Sequence, residues 1–273
     1  MTALRLDKLS LTNFRCFDHC EVEFRPRLTV LVAENGSGKT AVLDAAGAAL
    51  SVFVNALYPP EKVRRIERSD VRLVPGQERR MSPYLPTEYG AQATVQGGAV
   101  TWKSAVRTYG DKVRPSTRHF GPLKEAAQPF LADAAVLPLI AYYGTGRLWS
   151  EQRQTEYRRS SVTNVGERVA GYADCLTSSS SFKGISAWFE HRFRQTASPS
   201  FRESLQANLA MIEGVKTATD TVLQPTGWSS LRWDDELHTL TAKHETRGEL
   251  PLSMLSDGVR TLPALGAPAS IRN

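Results

Sequence analysis

The sequence predicts an α/β fold organised around a strand, a glycine-rich loop and a helix, and three observations carry that prediction. Leu28-Thr29-Val30-Leu31-Val32 is an unbroken apolar and β-branched run, the composition of a central strand covered on both faces. Ala33-Glu34-Asn35-Gly36-Ser37-Gly38-Lys39-Thr40 follows at once. From Thr40 onward, Val42, Leu43, Ala46, Leu50, Phe53, Val54 and Leu57 recur at helical spacing until Pro59-Pro60 ends the helix.

The loop is where chemistry is expected. A phosphate group is held by consecutive backbone N–H groups turned inward, which requires small residues, and Gly36 and Gly38 supply the freedom. Lys39 is a mobile charge that can reach the β- and γ-phosphates of a nucleotide. Thr40 offers a hydroxyl to Mg²⁺ and begins a helix whose positive N-terminus faces the phosphates. Ala33 stands where the strict pattern has a first glycine, but it is still small. ATP with Mg²⁺ is the expected ligand pair, held by Ala33, Glu34, Asn35, Gly36, Ser37, Gly38, Lys39 and Thr40.

The remaining elements are read in order. Leu4 and Leu6, then Leu9 and Leu11, alternate with polar neighbours, with a phase slip at Asp7-Lys8 that suggests a bulge. Val22 and Phe24 alternate with Glu21 and Glu23, as in a half-buried strand. Residues 62–90 are charged and rich in Pro and Gly, which predicts loops with short helical pieces. Ala93 to Val95 and Val100 to Trp102, separated by Gly97-Gly98, predict a hairpin. Leu123 to Ala132 reads as helical, and Ala135 to Tyr142 as a second apolar strand ending in Gly144-Thr145-Gly146-Arg147. Residues 182–196 and 199–215 read as two helices. Leu231 to Trp233 and Leu237 to Thr241 read as a late hairpin around Asp234-Asp235-Glu236.

Composition narrows the class. The chain has 273 residues, 41% hydrophobic and 23% charged, within the range of an ordinary soluble globular protein of one large domain or two small ones. No uninterrupted apolar stretch of membrane-spanning length is evident, and the N-terminus turns charged too early for a signal peptide. Three cysteines, Cys16, Cys20 and Cys175, form an odd and sparse set that fits reduced thiols in a cytoplasm. Cys16, His19 and Cys20 have no second ligand pair at a zinc spacing and read as packing residues. The formal charge of +6 permits contact with a polyanion without requiring it. Its basic runs, including Lys62, Arg64, Arg65 and Arg68, read as solvated faces unless they converge on one surface.

Leu11-Thr12-Asn13-Phe14-Arg15-Cys16-Phe17, followed by Glu-Asn-Gly-Ser-Gly-Lys-Thr at 34–40, resembles the start of SMC/RecF-type ATPases. Leu255-Ser256-Asp257-Gly258-Val259-Arg260 resembles the signature motif of the same ABC class. The resemblance implies a P-loop NTPase fold, an ABC/SMC-like head with a mixed sheet and a helical insertion. It implies a P-loop lobe at 1–58, an insertion at 59–249 and a signature segment at 250–273. It also implies that Ser256, Asp257 and Gly258 meet the nucleotide held by a second subunit, so that ATP joins two heads. Arg15 is either a nucleotide contact or a surface strand residue, and Arg147, at a strand end, is a further candidate.

Ala141 to Trp149 narrows the resemblance to ATPase subunits of Septu-type and retron-associated anti-phage systems, which implies an HNH-type nuclease partner and DNA. Relatives continue past the signature into a strand ending in Asp-Glu. Thr261 to Asn273 contains no acid, so the ending reads as a truncation or frameshift. Two readings follow: ATP hydrolysis coupled to DNA repair or defence, or a nucleotide-gated interaction module that binds without hydrolysing. The Asn13-Phe14-Arg15 motif and the long insertion argue against a membrane transporter's ATPase subunit.

Overall fold

The computed structural model describes residues 3–76, 80–110, 115–132, 134–144 and 205–255, Val259, and scattered residues between 169 and 196. The chain divides into two compact units, Met1–Pro138 and Leu139–Asn273.

In the first unit, β1 (Leu4–Phe14) and β2 (Phe17–Glu23) form a hairpin, and β1 also pairs with β5 (Thr87–Val95). The β1–β5 register shifts between Leu6 and Lys8, which is the bulge that the phase slip announced. β5 continues through a Gln96-Gly97 turn into β6 (Gly98–Val106), the hairpin the sequence predicts, and β7 (Pro115–His119) closes the sheet. The strand order is β2-β1-β5-β6-β7, and each neighbouring pair is antiparallel. Two short strands, β3 (Leu73–Pro75) and β4 (Met81–Pro83), and a 3₁₀ turn at Arg68–Asp70 occupy the Pro- and Gly-rich stretch.

Helix α1 (Lys39–Leu57) covers this sheet, packing on β5 and on α2 (Gly121–Ala127). Ala45, Ala49, Val52, Phe53 and Val54 on α1 are fully buried, whereas Leu43 is 44% exposed. The Trp102 indole N–H donates to the Ala49 carbonyl at 3.1 Å, and the Phe53 and Phe130 rings meet edge to face at 5.5 Å. Burial pushes the Tyr89 phenol, inside this core, up to about 12. By length and composition α1 could cross a membrane, but 61% of its most apolar window is buried inside the structure, as in a core helix. Pro129 ends α2 early, and Gln128–Leu131 finishes the predicted helix as a 3₁₀ turn.

Two predicted strands are absent. Leu28 to Val32 has no regular structure and joins no sheet among the described residues, with Leu28, Val30 and Val32 73%, 68% and 89% exposed. The run has the composition of a central strand, yet β2 is left behind at Glu23, and no described strand offers it a ladder. Ala135 to Tyr142 is likewise irregular: Ile140 and Tyr142 are buried, Val136 and Leu139 exposed. Pro138 removes a donor in mid-run, which disfavours a central strand.

The second unit holds α3 (Leu205–Leu223), which runs past the predicted end at 215; residues 199–204 of the predicted helix lie outside the described residues. It packs on an antiparallel sheet of β8 (Trp228–Asp234), β9 (Thr239–His244) and β10 (Gly248–Pro251). The late hairpin is therefore present, with a third strand added. Its turn is set by Asp234, whose carboxylate accepts from the amides of Glu236 and Leu237. Val215, Leu223, Trp228, Leu231, Leu240 and Leu252 form its buried core.

Candidate nucleotide-binding loop

Residues 33–40 join the irregular segment at 28–32 to the first turn of α1. Ser37 N–H donates to the Glu34 carbonyl at 3.3 Å and closes a turn. Gly36 and Gly38 have φ of +85° and +89°, the left-handed region where L side chains are strained. Gly38 is the N-cap of α1 and accepts from Val42 N–H at 3.1 Å. The first turn of α1 carries no acidic residue. Its first N–H groups have no partner within the helix, so this end is electropositive. Lys39 folds back over the loop, its Nζ donating to the carbonyls of Ala33 and Glu34 at 2.7 Å each.

Gly38 is tightly seated. A Cβ on it would lie 2.4 Å from Cζ of Phe17 and 2.5 Å from Sγ of Cys16, whereas one on Gly36 would meet nothing within 4 Å. Phe17 and Cys16 thus brace the helix start from the β1–β2 turn. Cys16 is exposed, not a core packing residue, and its sulfur lies beside Gly38.

These features fit the phosphate chain of a nucleotide. Two left-handed glycines free consecutive amides to face one anion, the helix start supplies more, and Lys39 lies along the loop.

Arg15 lies half-buried in the turn between β1 and β2, not on the surface of a strand. Its guanidinium lies between Asp44 of α1 (Nη1 to Oδ2, 2.7 Å) and Asp70 (Nε to Oδ1, 2.8 Å). Burial is the largest single influence on Arg15 and opposes its charge. The two carboxylates together outweigh it and hold its pKa above the usual value. Sequence reasoning missed Asp44 and Asp70. The one signal was Asp44 itself, the only acid in α1. Ser256, Asp257, Gly258 and Arg147 lie outside the described residues.

Residues 8–185 match the family described as an AAA domain. The chain belongs to the AAA domain family. Its fold is α/β, of the P-loop NTPase class to which this AAA domain points. Part of the chain is also similar to the DNA double-strand break repair Rad50 ATPase of Saccharolobus solfataricus, 40% identical over 50 residues. That match covers 18% of this chain and 6% of the Rad50 protein. Among solved structures, the SMC head domain from Thermotoga maritima is similar at a TM-score of 0.42 and 14% identity, over 98% of this chain and 72% of that one. The ATP complex of the recombination mediator protein RecF is similar at 0.45 and 10%, over 99% and 82%. Both structural likenesses are coarse.

Proposed function

We propose that this AAA-domain chain binds ATP with Mg²⁺ at residues 33–40 and serves as an SMC/RecF-type ATPase in DNA transactions. The observation that carries the reading is the loop itself: left-handed Gly36 and Gly38 leading into an acid-free helix start, with Lys39 folded along the loop. Backbone amides of 36–40 would hold the phosphates, and Thr40 would give its hydroxyl to Mg²⁺. Bound there, Mg²⁺ would offset negative charge on the phosphates. Lys39 would exchange its carbonyl partners for phosphate oxygens, which are stronger acceptors for an ammonium group.

In this reading two copies meet across ATP, with Ser256, Asp257 and Gly258 of one facing the loop of the other, in the cytoplasm. An HNH-type nuclease partner and a role in anti-phage defence rest on the resemblance of residues 141–149 alone.

Calorimetry of the full chain with ATP–Mg²⁺ tests the proposal. We expect saturable binding, weakened about 10- to 100-fold in Lys39→Ala, the range for losing a charge-assisted contact to phosphate. Equal binding by both proteins would overturn the assignment. Phosphate release that Lys39→Ala abolishes is the result expected of an ATPase. Binding without release would favour the nucleotide-gated interaction module instead.

A further inference from the structure

The loop has few contacts of its own. The segment that enters it is exposed and outside the sheet, so the loop's position must be set from the α1 side. Two ties join the start of α1 to the β1–β2 turn. One is the seat of Gly38 against Phe17 and Cys16. The other is Arg15, which reaches across to Asp44 at 2.7 Å while holding Asp70 through Nε and Nη2, both at 2.8 Å. Asp44 also lies 3.9 Å from Arg64, and the Asp70 carboxylate accepts from Glu67 N–H at 2.9 Å.

The turn that presents Arg15 is itself over-determined. Asn13 and Arg15 both have positive φ, 49° and 51°, an uncommon conformation for residues other than glycine. It is held by Arg15 N–H donating to the Asp70 carbonyl at 2.7 Å and Arg72 N–H donating to the Asn13 carbonyl at 3.1 Å. The Asn13 amide also donates to the Pro86 carbonyl at 2.9 Å. Strain kept in place by this many contacts is the mark of a site whose geometry matters. The Asp44 and Asp70 side chains are only 16% and 11% exposed, so the pairing is shielded from salt far better than a surface ion pair.

We propose that Asp44 and Arg15, anchored by Asp70, are positioning residues that fix the start of α1 so that the amides of 36–40 converge on the phosphate chain. This inference rests on the nucleotide reading of residues 33–40. It gives Arg15 an indirect role, because both ends of its guanidinium are already taken by carboxylates. Misplacing an anion-binding array by about 1 Å can cost on the order of 100-fold in what depends on it.

The test is a double-mutant cycle on the full chain, read by ATP–Mg²⁺ affinity, with thermal melting run in parallel. Asp44→Asn and Arg15→Ala are each expected to weaken affinity about 10- to 100-fold. The double variant should be no more than about 3-fold worse than the weaker single one, because the two residues act as one unit. Arg15→Lys keeps the charge but cannot bridge two carboxylates as a planar fork can. It should still weaken binding while the protein melts near the wild-type temperature, which keeps the test valid if Asp44→Asn does not fold.

Affinity lost in Arg15→Ala but unchanged or improved in Asp44→Asn would mean that Arg15 touches the nucleotide directly, and would overturn the proposal. Wild-type affinity in Arg15→Lys and Asp44→Asn alike would overturn it too. Absence of saturable binding in the wild type would instead strike down the nucleotide reading, a distinct outcome.

Discussion

Gly38→Ala is expected to weaken ATP–Mg²⁺ binding by at least about 100-fold while the rest of the first unit stays folded. Two costs combine at this position. The left-handed backbone, φ +89°, costs a residue with a Cβ about 1–2 kcal/mol. The added methyl would then lie 2.4 Å from the Phe17 ring and 2.5 Å from the Cys16 sulfur, closer than real contacts allow. Phe17 opens β2 and cannot retreat freely, so the helix start must move, and the anion-binding amides move with it. Gly36→Ala is the internal control. It has the same backbone sign, φ +85°, and open space around the new methyl, so it should lose only about 10-fold. Calorimetry on the pair decides the matter: equal losses would show that the seat against Phe17 and Cys16 has no bearing on binding.

Trp102→Ala should be the most damaging change to stability, lowering that of the first unit by about 3–5 kcal/mol. Trp102 is 2% exposed, and its indole N–H donates to the Ala49 carbonyl, so it joins β6 to the middle of α1. Its removal opens a cavity under the helix whose N-terminus carries the loop. Against a typical total of about 5–15 kcal/mol, such a loss leaves a substantial unfolded fraction. Trp102→Phe keeps most of the volume and gives up one hydrogen bond, so it should cost only about 1–2 kcal/mol. Urea denaturation of the three proteins measures both differences. A loss below about 1 kcal/mol in Trp102→Ala would contradict the packing described.

What the sequence made legible was local. Helix α1 was readable because its apolar residues repeat at helical spacing between a loop and Pro59-Pro60. The β1 bulge was readable as a phase slip, and the β5–β6 hairpin as two strands around a glycine turn. The turns at 36 and 38 were readable because glycine is the residue that takes a left-handed backbone without strain. What failed was non-local. Leu28 to Val32 has the composition of a central strand, but a strand exists only where another offers its backbone, and composition does not carry that information. The same holds for Ala135 to Tyr142, with Pro138 as a warning inside the run. The Arg15–Asp44–Asp70 contacts join residues 29 and 55 positions apart, beyond the reach of any periodicity.

The pairing of β1 with β5 also sets the order in which the first unit can assemble. The β1–β2 and β5–β6 hairpins form from neighbouring residues, whereas joining β1 to β5 must close the chain between Phe14 and Thr87. That closure carries the larger entropic cost and makes it the slow event. Residues 33–40 and α1 lie inside the closed segment, and the Gly38 seat brings them onto a turn of the first hairpin. A ligand that needs the seated loop therefore meets its site only after the barrier is crossed. ATP should slow the unfolding arm of a chevron and leave the refolding arm where it was.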